Sequence, residues 1–306
     1  MRTTSPNRYT RPLMLLAAII VVSVVLIYLG NFLAAARSQE AQPLEGYTWI
    51  WFVLVGAGIV YGLYVAFADR PIWQVGTREV VMMAIGAALY GTLSYLGNSI
   101  QMPSVSQVAF RPASVIPVLF GVLFGPVVGF FTGFVGNILG DAMTGWGVFP
   151  IWDVGNGLMG LVAGLATAFP RSKRSFNGLT ITIGVVGVVL ALWLLLSPDV
   201  ENQFAGGAVG AMWWVPLLGV ALVIGIRYAL RNRPDVAIAL LWSALGVIVG
   251  IGFAAIADIW WNGYTPAVAI LGEFVPAAGP NLINIAILLP ILYGAYTSAR
   301  ARTGRA

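Results

Sequence analysis

The chain has 306 residues, of which 59% are hydrophobic and 9% are charged, and its mean hydropathy is +0.89. Soluble domains carry about a quarter charged residues, so this composition indicates a polytopic membrane protein without a sizeable water-soluble domain. The sequence contains neither cysteine nor histidine, which excludes disulfides, thiolate nucleophiles, the usual structural zinc sites and a Ser-His-Asp triad.

Ten apolar segments follow one another along the chain, and we predict an all-α transmembrane bundle of about ten spans. They cover 12–35, 47–68, 80–96, 114–124, 127–142, 154–169, 179–196, 208–230, 236–260 and 275–296. The first segment is longer than the apolar core of a signal peptide, so we expect an uncleaved helix. The fourth and fifth segments are shorter than the roughly 20 residues that a spanning helix needs. Whether each of these two crosses fully, or both form a re-entrant pair, stays open.

The basic residues orient this bundle, because Lys and Arg are retained on the cytoplasmic side. With both termini inside, only Arg37 and Arg111 of the 16 basic residues fall outside. The net charge of +5 then reflects topology, and the expected surroundings are a lipid bilayer. Nucleic acid is not expected as a partner.

Six glycines between Gly121 and Gly140 stand three or four residues apart, which predicts a bare helical face for close packing in lipid. The run ends at polar residues on the predicted outer edge. A polar group inside the apolar layer needs a partner and is a functional candidate. The candidate substrate-binding residues are Gln107, Arg111, Asn137, Asp141, Trp146, Asp153, Asn156 and Asn281.

Two interpretations stay open for several of these residues. Arg111 either forms an ion pair with a carboxylate such as Asp141, or binds an anionic or carbonyl-rich ligand. Asn137 either bonds a neighbouring helix or contacts the ligand. The outer tryptophans, including Trp146 and Trp261, form either a membrane belt or a stacking surface for a flat ring.

Four motifs carry a resemblance to a known family. They read TREVVMMAIGAALYGTLSYLG at 77–97, FRPASVIPVLFGVLFGPVVGFFTGFVGNILGDAMTGWG at 110–147, WDVGNGLMGLVAGL at 152–165 and EFVPAAGPNLINIAILLPILYGAY at 273–296. With these motifs the chain resembles the S-component of energy-coupling factor (ECF) vitamin transporters, most closely the riboflavin-type group.

The resemblance implies a six-helix core that captures a water-soluble vitamin from outside and passes it inward. It implies as partners a membrane T-component and two cytoplasmic ATPases, which alone would use ATP. The T-component would dock on a small-residue face containing Ala84, Ala88 and Gly91. No covalently bound cofactor and no metal are implied, and the vitamin would be the substrate. The implied location is the plasma membrane of a prokaryote.

The chain is longer than ordinary S-components, and we predict four parts. These are an N-terminal two-helix extension at 1–76, core helices one to four at 77–170, an inserted helix pair at 171–233, and core helices five and six with a cytoplasmic tail at 234–306. The loop from Asn98 to Arg111 is expected to act as a lid. Gly155, Gly157, Gly160 and Gly164 are expected to bring the fourth core helix against the third.

An alternative function is a self-contained secondary transporter in which Asp141, Asp153, Asp258 and Glu273 relay protons. No inverted repeat is visible in the sequence. An intramembrane enzyme is disfavoured, because no catalytic motif accompanies the paired carboxylates. The identity of the vitamin stays open, since it depends on single hydrogen bonds.

Overall fold

The computed structural model describes residues 7–38, 44, 46–102, 104–105, 108–169, 171–197, 200–202, 207–208 and 212–304. Each of the ten apolar segments forms one α-helix. The helices are α1 (Asn7–Arg37), α2 (Thr48–Ala66), α3 (Thr77–Gly97), α4 (Val115–Phe124), α5 (Pro126–Thr144), α6 (Pro150–Gly164), α7 (Lys173–Leu196), α8 (Trp214–Ala229), α9 (Pro234–Trp261) and α10 (Val275–Arg302). A short antiparallel pair, Glu201–Asn202 with Gly207–Ala208, lies between α7 and α8.

The predicted helical membrane bundle is confirmed. Seven of the described helices are long and apolar enough to cross a bilayer, namely α1, α2, α3, α5, α7, α9 and α10 with the π-helical segment Val268–Phe274 that leads into it. Helix α5, whose length the sequence left in doubt, is among them. Helices α4, α6 and α8 are shorter, so a full crossing by each of these three stays a prediction.

A tight turn separates α4 from α5. Gly125 has φ +98°, a conformation that favours glycine, and Pro126 then opens α5 at a position where its missing N–H costs nothing. The glycine run is thereby divided between two helices instead of lining one. Each part packs closely, since a Cβ on Gly121 or on Gly129 would overlap the backbone carbonyl of Gly160 on α6.

Helix α5 lies between α3 and α6 in the centre of the bundle. Gly133 meets the Asn156 carbonyl of α6, whereas a Cβ on Gly136 would lie 3.0 Å from the Ala87 carbonyl oxygen of α3. The expected approach of α6 to α5 through its glycines therefore holds for Gly157, Gly160 and Gly164. It is wrong for Gly155, which faces α9, because a Cβ there would lie 2.7 Å from the Gly250 carbonyl oxygen.

Helices α1, α2, α7 and α8 cover two sides of this central group. Helices α1 and α2 pack on α5 and α6, with Gly30 against Ile138 and Gly56 against Val154. Helices α7 and α8 pack on each other and on α9 and α10. A Cβ on Gly219 of α8 would lie 3.0 Å from Leu282 Cβ of α10.

The two ends of the bundle differ in charge. At one end, the Arg78 guanidinium lies 5.2 Å from the centre of the Phe124 ring and donates to Tyr296 Oη at 3.4 Å. The start of α3, the end of α4 and the end of α10 therefore meet there, as alternating helix directions require. The positive-inside rule makes this basic end cytoplasmic, and the polar residues discussed next lie at the opposite end.

Candidate functional site

A cavity of about 660 Å³ opens at the predicted outer end of the central helices. Six of the candidate substrate-binding residues lie in its wall, and these are Arg111, Asn137, Asp141, Trp146, Asn156 and Asn281. Asp153 lies behind the wall, and Gln107 lies outside the described residues. The cavity has the size of a small-molecule binding site.

Arg111, just before the short 3₁₀ turn that leads into α4, joins three parts of the wall. Its Nε donates to Asn98 Oδ1 at the end of α3 at 2.8 Å. Its Nη1 donates to Asn137 Oδ1, and its Nη2 forms an ion pair with Asp141 Oδ1. Of the two interpretations for Arg111, the structure contains the internal ion pair. The three nitrogens of the guanidinium each donate to a different side chain, which fixes its plane.

Asn137 and Asp153 extend this network behind the wall. Asn137 Nδ2 donates to Asp141 Oδ2 at 2.9 Å and to Asp153 Oδ1 at 2.7 Å. Asp153 is fully buried in the first turn of α6, and its Oδ2 has no hydrogen-bond partner among the described residues. Asp153 therefore holds Asn137 in position and does not itself face the cavity.

Tyr90 and Asn156 form the wall between α3 and α6. The fully buried Tyr90 donates from Oη to Asn156 Oδ1 at 2.6 Å, and Asn156 Nδ2 donates to the Trp152 carbonyl at 2.9 Å. Tyr90 was not among the predicted site residues, because an aromatic residue in an apolar helix is typical of a core position.

The opposite wall is acidic and aromatic. Asp258 near the end of α9 accepts from Trp152 Nε1 at 3.1 Å and from Asn262 Nδ2 at 2.7 Å. The Trp261 and Tyr264 side chains complete this part of the wall. Partial burial and the nearby carboxylates of Glu273 and Asp258 raise the pKa of Tyr264 to about 12. Its phenol therefore stays protonated and can donate a hydrogen bond.

Asp258 belongs to the alternative, proton-relay hypothesis and is not among the predicted substrate-binding residues. The available signal was the spacing of Asp258 and Asn262, which stand four residues apart as Asn137 and Asp141 do. Such a pair shares one helical face.

The loop between α3 and α4 lies over the cavity. Its two arms pair through Met102 N to Val108 O and Phe110 N to Ile100 O, both at 2.7 Å. The Val105 N–H donates to the Gly272 carbonyl of the π-helical segment at 3.1 Å, which fastens the loop to that segment. This is the position expected of a lid, and its opening stays a prediction.

The N-terminal extension also reaches the site. Ser38 after α1 and Leu44 before α2 lie in the cavity wall. Phe52 of α2 packs edge-on against the Trp261 ring, with centroids 5.9 Å apart. The extension therefore contributes to the cavity and to the orientation of one of its aromatic rings.

The predicted partner face on α3 is only partly exposed. Ala84 and Ala88 are exposed, beside the exposed side chains of Ile85 and Leu89. Gly91 is buried, because a Cβ there would lie 2.8 Å from Leu139 Cβ of α5. Gly91 thus belongs to the internal packing and not to the exposed face.

Comparison with known proteins finds matches in the central part of the chain. Residues 74–198 match the family described as "ECF-type riboflavin transporter, S component". The matched range continues through α7, so the predicted boundary of an inserted pair at residue 171 stays untested.

Several bacterial proteins are similar over a comparable length. A UPF0397 protein of Vibrio vulnificus is 38% identical over 121 residues, covering 39% of this chain and 64% of that protein. A UPF0397 protein of Vibrio atlanticus is 39% identical over 117 residues, covering 38% and 62%. A third, from Photobacterium profundum, is 39% identical over 109 residues, covering 35% and 57%. The chain thus spans less than two thirds of these relatives, and no solved structure matches it.

Proposed function

We propose that the chain, whose residues 74–198 match the S-component family of ECF-type transporters, captures a small water-soluble vitamin from outside and delivers it inward. The observation that carries this proposal is the cavity of about 660 Å³, most of whose wall is formed by residues of the matched range. The family consists of transporter subunits and not of enzymes.

The preformed shape of the cavity supports capture. Arg111, Asn137 and Asp141 hold one another through hydrogen bonds that need no ligand. A wall fixed in this way loses little conformational entropy when a ligand binds, which favours high affinity. Tight capture at low concentration suits a binding subunit better than a pore.

The aromatic side chains indicate a ring-containing ligand. Trp146, Trp152, Trp261 and Tyr264 all lie in the cavity wall, where they offer stacking surfaces to a flat ring. Riboflavin is the first compound to test, since the family description names it.

Transport would require the partners that the family implies. We propose that the exposed Ala84 and Ala88 on α3 contact a T-component, because small residues four apart allow close helix contact. Helices α1, α2, α7 and α8 pack on α5, α6, α9 and α10 and leave this face of α3 exposed. Two ATPases on the cytoplasmic side would supply the energy, and the chain itself would perform no chemistry.

The test is identification of the ligand by native mass spectrometry of the purified protein, followed by titration with riboflavin. We expect one bound small molecule per chain. Asn281→Ala should weaken binding, because Asn281 lines the cavity. Asn284→Ala is the matched control on the same helix, since Asn284 does not line it.

Absence of any bound compound, together with no binding of riboflavin or other ring vitamins, would contradict the proposal. Uptake into vesicles that lack an ATPase but carry a pH gradient would favour the proton-coupled alternative. ATP-dependent uptake only in the presence of a T-component and ATPases is the expected result.

A further inference from the structure

The cavity end of the bundle holds more buried acidic than basic side chains. Asp141, Asp153, Asp258 and Glu273 are each no more than 2% exposed. Arg111 is the only cation among the described residues that line the cavity, and it is paired with Asp141. Burying a carboxylate is costly unless a positive group or several donors compensate it.

Of these four carboxylates, Asp141 and Asp258 line the cavity. Asp141 is paired with Arg111, whereas Asp258 is not. Its hydrogen-bond donors, Trp152 Nε1 and Asn262 Nδ2, are neutral. No cation is among these donors, so a positively charged group beside Asp258 would stabilise its ionised form.

Aromatic rings lie in the same part of the wall. Trp152, Trp261 and Tyr264 line the cavity together with Asp258. The faces of such rings attract cations, more strongly where water is excluded. A carboxylate beside several aromatic rings is a combination suited to a positively charged nitrogen.

One polar side chain in the same cavity wall independently indicates a ligand. Asn281 lines the cavity, is 9% exposed and makes no hydrogen bond within the part of the chain that the structure describes. Buried polar groups are almost always hydrogen-bonded, so a bound molecule with polar atoms would satisfy this side chain.

We propose that the Asp258 end of the cavity binds a positively charged nitrogen, so that the captured ligand is a cationic nitrogen heterocycle. This inference rests on the proposed capture function and narrows its substrate class. An anionic vitamin is disfavoured because Arg111 is already held by Asn98, Asn137 and Asp141. A neutral ring would give Asp258 no positive partner.

The experiment compares three probes of different charge on the purified full chain by isothermal titration calorimetry. The probes are thiamine, which is cationic, riboflavin, which is neutral, and pantothenate, which is anionic. We expect thiamine to bind at least about tenfold more tightly than riboflavin, because its thiazolium ring is attracted to Asp258 and to the aromatic faces, and pantothenate not to bind. This ranking uses the unmodified protein and needs no variant.

The variant Asp258→Asn then tests whether Asp258 is responsible for the preference for a cation. We expect it to weaken thiamine binding about tenfold or more, the size of one charge-assisted contact, while riboflavin binding changes little. Asp235→Asn is the matched control, because Asp235 lies in the first turn of the same helix at the opposite end. It should change neither affinity.

The outcomes separate the two proposals. Riboflavin or pantothenate binding as tightly as thiamine would overturn the charge preference and leave vitamin capture standing. Unchanged thiamine affinity in Asp258→Asn would overturn the assignment to Asp258. Binding of none of the probes, with no compound retained on purification, would contradict vitamin capture and this inference with it.

Discussion

Tyr90 on α3 and Asn156 on α6 are joined by a 2.6 Å hydrogen bond across the wall of the cavity. Helix α5 packs between these two helices through its glycines, so the bond forms where three helices meet. Tyr90 is fully buried, and the bond therefore links helix packing directly to the geometry of the site.

Tyr90→Phe should destabilise the protein and displace Asn156. The substitution keeps the ring but leaves Asn156 Oδ1 without its donor, which costs about 1–3 kcal/mol when the acceptor is buried. Unfolding in detergent, followed by tryptophan fluorescence, measures the loss. Tyr95→Phe is the control, because Tyr95 is on the same helix and its hydroxyl receives only an exposed 3.4 Å contact from Arg37. Equal stability of the two variants would contradict a structural role for the Tyr90 hydroxyl.

Arg111 and Asp141 should behave as a coupled pair. Arg111→Met leaves Asp141 buried without its cation, and breaking a buried pair costs about 3–5 kcal/mol. Asp141→Asn has the converse effect on Arg111. The double variant Arg111→Met with Asp141→Asn should be more stable than the sum of the single losses indicates, since neither charge is then left alone.

A double-mutant cycle on the free energy of unfolding measures this coupling. Additive losses would show that the two charges act independently. Arg78→Met serves as a control at the basic end, where the guanidinium contacts Phe124 and Tyr296, and it should not couple to Asp141→Asn.

Much of the architecture was predictable from the sequence alone. The lengths of the apolar runs predicted ten helices, and the distribution of arginine predicted which ends lie together. That information also placed Arg111, Asn137 and Asp141 at one edge. Each of these predictions depends either on residues that are close in sequence or on the side of the membrane where a residue lies. None of them requires knowledge of how the helices pack.

The details that were missed depend on contacts between distant segments. Trp152 and Asp258 are 106 residues apart yet hydrogen-bonded, and nothing in local spacing pairs them. The glycine spacing on α6 likewise did not show that Gly155 faces α9 while Gly157 faces α5. Which neighbouring helix a glycine faces depends on how the whole bundle packs.

Gly133→Leu should disrupt the packing of α5 against α6. A Cβ at Gly133 would already overlap the Asn156 carbonyl, so a leucine must push the two helices apart and with them both sides of the cavity. Gly58→Leu on α2 is the matched control, because nothing lies within 4 Å of a Cβ there. Size-exclusion chromatography and thermal unfolding compare the two variants. Normal insertion and unchanged ligand affinity in Gly133→Leu would show that this close approach is not needed.

Ala84→Trp should block docking of a T-component without affecting ligand binding. Ala84 is exposed on the side of α3 away from the cavity wall formed by Tyr90, so a large ring there meets the partner and not the ligand. Co-purification with a co-expressed T-component, alongside ligand titration of the isolated chain, measures the two effects separately. Gly58→Trp, which adds the same ring to an exposed position on α2, should leave complex formation intact. Unimpaired assembly of the Ala84→Trp variant would show that the T-component contacts another face of the bundle.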